Sequence, residues 1–138
     1  MVKESYNWYY IIILGNNTTK NKNNFNILSV TDLISIVLPV HNEFLNLRSL
    51  IEEWDSELKK ISKIQHEFVI VEDGSSDGTK ELIIELEKTF SIVNLSSEKK
   101  RGYSKAVLDG IKASKGNYIL CTDSDNQIKV NSLIENIN

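Results

Sequence analysis

Four short apolar runs set the outline of this chain: Ser35-Ile36-Val37-Leu38-Pro39-Val40, Glu67-Phe68-Val69-Ile70-Val71, Ile92-Val93-Asn94-Leu95 and Tyr118-Ile119-Leu120-Cys121. Between them the apolar residues recur at three- and four-residue steps. The first such segment carries Leu47, Leu50, Ile51, Trp54, Leu58 and Ile61, the second Leu82, Ile83, Leu86 and Phe90, and the third Tyr103, Val107 and Ile111. Apolar runs without strict alternation mark strands buried on both faces, and the intervening period marks helices. Parallel strands require crossovers of this kind, so the expected fold is α/β and Rossmann-like: a mainly parallel sheet with helices on both faces and right-handed connections. Pro39 falls near the end of its strand, where a missing N–H is tolerable.

The alternation starts only after residue 33. Residues 1–33 are therefore expected to be an N-terminal extension and linker, and residues 34–138 the domain. Within the extension, Trp8-Tyr9-Tyr10-Ile11-Ile12-Ile13-Leu14 reads either as a short strand or as a sticky extension. Residues 15–26 are polar, Asn-rich and without period. Val130 to Asn138 reads as one more helix, cut short.

Charge and cysteine content exclude several classes. A formal net charge of −3 gives no basic field for nucleic acid, and Lys99-Lys100-Arg101 is a short run of the sort that solvates a turn. The single Cys121 lies in an expected buried strand, which fits a structural thiol in a reducing, cytosolic compartment. No apolar run approaches the roughly 20 residues of a membrane-spanning helix, and the start does not resemble a signal peptide.

Ligands of such sheets bind outside the carboxyl ends of the strands. Polar clusters stand at three of those ends: His41-Asn42-Glu43, then Glu72-Asp73-Gly74-Ser75-Ser76-Asp77-Gly78-Thr79, then Thr122-Asp123-Ser124-Asp125-Asn126-Gln127. Asp123, Asp125 and Gln127 alternate, and in extended chain they share a face as a hard oxygen donor set suited to Mg²⁺ or Mn²⁺. They also read as turn carboxylates capping a helix. A calcium loop is excluded, since Ile128 and Ile134 stand where Gly and Glu are needed. Gly74 and Gly78 with a capping Ser76 or Asp77 make a strand-to-helix turn. That leaves the Glu72-Asp73 pair, whose acceptors suit a nucleobase N–H or a ribose hydroxyl. Glu43 at the start of a helix satisfies the dipole with or without a ligand. His41 either bonds a ligand or ends its strand. There is no dinucleotide fingerprint after the first strand, no P-loop and no nucleophile elbow.

In their order, SIVLPVHNE, VIVEDGSSDGT and KKRGYSKAVLDGIKASKGNYILCTDSDNQ closely resemble the N-terminal, nucleotide-sugar-binding half of family 2 glycosyltransferases of the GT-A fold, in particular the dolichol-phosphate mannose synthase-like branch. The resemblance covers about residues 34–137. It implies that Pro39, His41 and Glu43 contact the nucleotide, and that Val71 and Asp73 grip base and ribose. It also implies that Arg101 and Gly102 form a loop beside the nucleotide. Asp123, Ser124 and Asp125 would be the DxD motif, its carboxylates holding Mg²⁺ or Mn²⁺ against the diphosphate, with Gln127 a further metal ligand. Glu72 replaces the first Asp of the usual pair and His41 a frequent Tyr, and both keep hydrogen-bonding capacity. The implied partners are a GDP- or UDP-linked sugar and a polyprenyl phosphate or glycan acceptor. The implied place is the cytoplasm or the cytosolic face of a membrane, with membrane-surface association of a longer protein. The family's general base lies downstream of the DxD motif, so no catalytic residue is expected within this chain. Two other readings stand beside this one: a non-catalytic nucleotide-binding remnant, and a DxD metal-dependent phosphatase, which resembles it less because there the motif follows the first strand.

Overall fold

The computed structural model describes residues 10–12, 32–60 and 65–124. The elements are β1 (Tyr10–Ile12), β2 (Leu33–Val40), α1 (Phe44–Lys60), β3 (Gln65–Asp73), α2 (Thr79–Leu86), β4 (Ile92–Ser97), α3 (Tyr103–Ala113) and β5 (Tyr118–Cys121). They form one sheet in the order β1-β5-β2-β3-β4. β5, β2, β3 and β4 are mutually parallel, and β1 pairs antiparallel with β5. The expected parallel core is thus present. Of the two readings of the N-terminal apolar run, the short strand is the one found.

Alternation along the strands divides the core in two. Ile34, Ile36, Leu38, Val40, Phe68, Ile70 and Leu120 pack on one face against Leu47, Leu50, Ile51, Trp54 and Leu58 of α1 and Leu82, Ile83 and Leu86 of α2. Val37, Val69, Ile119 and Cys121 pack on the other face, where Val107, Ile111 and Ala113 of α3 cover them. Both faces are therefore apolar, as uninterrupted runs require.

Three details set the site's position. Thr122 N–H bonds to Val37 O at 3.1 Å, so the polar groups of Val37, and of Pro39 two residues on, point toward β5. The β2–β5 pairing ends at Val37 with Cys121, so the N–H that Pro39 lacks has no strand to bond. At the opposite end of the sheet, Ser35 Oγ donates to Glu67 Oε1 at 2.6 Å and accepts the N–H of Gly116 at 2.8 Å, while Lys115 N–H donates to the same Glu67 oxygen at 2.9 Å. This buried network fixes where β5 begins, and so where it ends.

α2 stops at Leu86, earlier than the spacing through Phe90 predicts. Lys88 N–H to Glu85 O and Thr89 N–H to Leu86 O, at 3.2 and 3.0 Å, tighten the last turn, and Phe90 packs on the core from beyond the helix. Ile61 and the expected helix Val130 to Asn138 lie outside the described residues.

Gly110 lets α3 approach the sheet. A Cβ there would stand 2.4 Å from Val37 Cγ1 and 3.0 Å from Val71 Cγ2, both on fully buried residues. Gly110→Ala gains about 1 kcal/mol of helix propensity but overpacks a closed core, which costs about 1–3 kcal/mol. The expected result is a lower melting temperature; a higher one would show that α3 lifts off the sheet freely.

Candidate functional site

The chain runs outward from β2 through β3 to β4, then returns to lay β5 on the other side of β2. α1 and α2 serve the outward crossovers on one face, and α3 serves the return on the other. The strand order reverses between β2 and β5, and the crevice at such a switch point is where open α/β sheets bind ligands. His41 to Glu43 leave β2 on one side of it, and Thr122 to Ser124 leave β5 on the other.

The loop after β2 is laced to the loop after β3. His41 Nδ1 stands 2.9 Å from the carbonyl of Asp73, which can only accept, so Nδ1 carries the hydrogen; Nε2 then accepts from Asn42 Nδ2 at 3.4 Å. Asn42 adopts φ +55°, a left-handed conformation Asn tolerates. Its N–H donates to Ser75 Oγ, and its Oδ1 accepts the N–H of Ser76, each at 2.9 Å. The first amides of α1 are capped from the same loop: Glu43 N–H bonds Thr79 Oγ1 at 3.0 Å and Phe44 N–H bonds Asp77 Oδ2 at 3.2 Å. The other oxygen of Asp77 accepts the N–H of Thr79 at 3.1 Å, so this one carboxylate caps two helices. The Glu43 carboxylate takes Asn46 Nδ2 at 3.1 Å and remains half-buried beside the crevice.

The acidic pair ending β3 is occupied by the protein itself. Glu72 is fully buried; one carboxylate oxygen accepts the N–H of Ser75 and the other accepts Ser96 Oγ at 2.8 Å, with Lys80 Nζ 3.8 Å away. Burial pushes its pKa upward, and the bonds from Ser75 and Ser96 with the charge of Lys80 outweigh that and hold it below the ordinary value. Asp73 is 4% exposed. Its two oxygens accept the backbone N–H groups of Arg101 and Gly102 at 2.7 and 2.9 Å, and Arg101 Nε lies 3.6 Å off. Burial again pushes its pKa up, and those two amides and the Arg101 charge pull it below the ordinary value. The pair therefore shapes loops: Glu72 joins β3 to β4, and Asp73 holds the turn into α3. Gly74, at φ +73°, admits that turn, since a Cβ there would stand 2.7 Å from Lys100 N.

Val71 is fully buried, facing Gly110 of α3. Its side chain seats α3. Pro39 is half-buried at the mouth of β2. The Arg101 guanidinium bonds Asp109 Oδ2 at 3.0 Å and stands at the end of a groove of about 560 Å³ between β4 and α3, which Asn94, Ser96 and Lys112 also line.

At the end of β5, Asp123 is exposed and Ser124 is buried. Oδ1 of Asp123 accepts the hydroxyl of Tyr103 at 2.9 Å. Among the described residues its other oxygen has no partner, and an exposed carboxylate oxygen at a strand end suits a hard cation. No group of three His, Cys, Asp or Glu side chains among the described residues could hold a metal. Asp125 and Gln127, expected to complete the donor set, lie outside the described residues.

The family model for glycosyl transferase family 2 matches residues 35–137. The chain belongs to that family. Dolichyl-phosphate beta-glucosyltransferase of Dictyostelium discoideum is 33% identical over 99 residues, a match covering 67% of this chain and 30% of the relative. Dolichol-phosphate mannosyltransferase of Pyrococcus furiosus is 32% identical over 94 residues, covering 68% of this chain and 26% of the relative. The chain thus spans less than a third of the length of these two relatives. Among solved structures, a mannosyltransferase from Pyrobaculum calidifontis in complex with GDP-Man and Mn²⁺ superposes with a TM-score of 0.55 at 21% identity, over 75% of this chain and 31% of that one. The fold of this family 2 chain is the GT-A type.

In the sequence Tyr103 belongs to an apolar stripe, yet it is 59% exposed, while Val107 and Ile111 of the same stripe pack inward. A polar-tipped aromatic ahead of two aliphatic residues was the signal. No helix among the described residues is long and apolar enough to cross a membrane.

Proposed function

We propose that residues 34–138 are the donor-binding domain of a metal-dependent glycosyltransferase, which takes a sugar from a GDP- or UDP-linked donor to a polyprenyl-phosphate or glycan acceptor at the cytoplasmic side of a membrane. One observation carries this reading. In a chain of family 2, the β2 loop, the Asp73-held turn and Asp123 converge on the crevice between β2 and β5. Pro39, His41 and Glu43 border the nucleotide on one side. Asp73 presents the Arg101–Gly102 turn on the other, and Val71, buried against Gly110, seats the helix that follows that turn. Asp123 and Asp125, with Gln127, are the residues to hold Mg²⁺ or Mn²⁺, and Ser124 spaces the two carboxylates. When bound, such a cation supplies positive charge against the diphosphate leaving group. Of residues 1–33, Tyr10–Ile12 form the sheet edge and Leu33 opens β2.

Relatives named as a dolichyl-phosphate glucosyltransferase and a dolichol-phosphate mannosyltransferase, and a neighbour solved with GDP-Man and Mn²⁺, support the donor, metal and acceptor classes. Calorimetry with GDP and UDP, each in Mn²⁺ and in EDTA, tests the reading. The nucleotide is expected to bind at least ~10-fold tighter with Mn²⁺, a gain of about 1.4 kcal/mol, and Asp125→Asn is expected to erase that gain. Equal affinity in Mn²⁺ and EDTA for the unsubstituted chain would sink it.

A further inference from the structure

We infer that Tyr103 is a positioning residue that orients the Asp123 carboxylate for the cation. This rests on the donor-site reading above and adds a residue to it.

Tyr103 is the first residue of α3 and follows Gly102 directly. The run Arg101-Gly102-Tyr103 therefore holds two carboxylates at once. Its backbone amides hold Asp73 at the end of β3, and its phenol holds Asp123 beyond the end of β5. β2 lies between β3 and β5, so this run ties the two flanking strand ends together across the crevice. The hydroxyl donates to Oδ1 of Asp123, which stops the carboxylate turning about its own bond and leaves the second oxygen without a partner among the described residues. Asp123 is exposed and has no other partner among the described residues, so little else fixes its orientation.

The chemistry of the donor matters as much as its place. A phenol is neutral across the physiological range, so it orients the carboxylate without cancelling its charge. A lysine or arginine in the same place would neutralise the group the cation needs. The Arg101 and Lys105 side chains beside it are directed elsewhere, bonding Asp109 at 3.0 and 2.5 Å.

The test is Mn²⁺ binding to the 138-residue chain, followed by the loss of the free-ion electron paramagnetic resonance signal, alone and with GDP or UDP. Tyr103→Phe keeps the ring and removes only the hydroxyl. It is expected to weaken Mn²⁺ binding roughly 10-fold, the lower end of what loss of a partner to a metal-ligating side chain costs. Nucleotide affinity in EDTA and the melting temperature should stay at the unsubstituted values. Tyr103→Leu, which also removes the ring, is expected to fall no further in Mn²⁺ affinity. Unsubstituted Mn²⁺ affinity in Tyr103→Phe overturns the inference, as does a loss confined to Tyr103→Leu, because the ring would then carry the effect. If the unsubstituted chain itself shows no Mn²⁺-linked nucleotide binding, the donor-site reading fails and this role fails with it. If that binding is present and equal in Tyr103→Phe, the role of Tyr103 alone is refuted.

Discussion

Asp73→Asn is expected to lower the melting temperature by roughly 10 °C at neutral pH, almost as much as Asp73→Ala. The carboxylate accepts two backbone N–H groups in a site only 4% exposed. Bonds to a charged acceptor contribute about 1.5–3 kcal/mol each, and a buried N–H left unpaired carries its own desolvation cost. Asparagine keeps the shape but replaces one acceptor by an NH₂ group facing an N–H donor, so at least one bond is lost and a repulsion gained. A net loss of about 3 kcal/mol corresponds to the stated shift in a chain of this size. The pH dependence supplies a second readout. The folded-state pKa of Asp73 lies below its unfolded value, so its contribution is complete above the unfolded pKa, about 4, and disappears as pH falls through the folded value. The gap between Asp73→Asn and the unsubstituted chain should therefore be widest near neutrality and close in acid. A gap that stays constant down to pH ~3 would show that the carboxylate does not hold the turn through its charge. Nucleoside affinity should fall as well, because the Arg101–Gly102 turn borders the proposed nucleotide site.

The strands were legible because a parallel sheet covered on both faces leaves few polar positions within them: Ile36 to Leu38 and Phe68 to Val71 are all fully buried. Helix positions were legible from period and their ends less so, since Phe90 keeps the spacing of α2 while packing from outside it. β1 stayed ambiguous, because a short apolar run has no period of its own and Tyr10–Ile12 becomes a strand only by pairing with β5, more than a hundred residues later. The placing of polar clusters at the carboxyl ends followed from topology alone. What each carboxylate does there did not. Glu72 and Asp73 are adjacent, yet their partners Ser96 and Arg101 lie 24 and 28 residues away, on an edge strand and a turn that no local pattern ties to them. The cap expected near Thr79 is Asp77, as the spacing allows, but its second oxygen serves α1, which only the packed structure brings near.

Asp123→Asn is expected to move nucleotide affinity in opposite directions in two buffers, which separates a metal role from a structural one. In Mn²⁺ affinity should fall to the variant's own metal-free value, so that most of the Mn²⁺-linked gain is lost, because the substitution removes a ligand of the cation and metal affinity drops with it. In EDTA the same substitution removes a negative charge facing a diphosphate. Repulsion between them across several ångströms of mostly aqueous medium amounts to about 1 kcal/mol before salt reduces it, so affinity should rise by a factor of about two to five. Misfolding cannot produce this crossing, since damage to the crevice lowers affinity with or without metal. Asp123 is exposed and sits beyond the last residue of β5, so its replacement leaves the sheet intact and melting temperature should barely move. Asp73→Asn provides the contrast: it alters a buried contact, so affinity should fall in both buffers along with stability. Loss of affinity for Asp123→Asn in EDTA as large as in Mn²⁺ would mean that the carboxylate shapes the crevice as Asp73 does, and that the cation, if any, is held elsewhere.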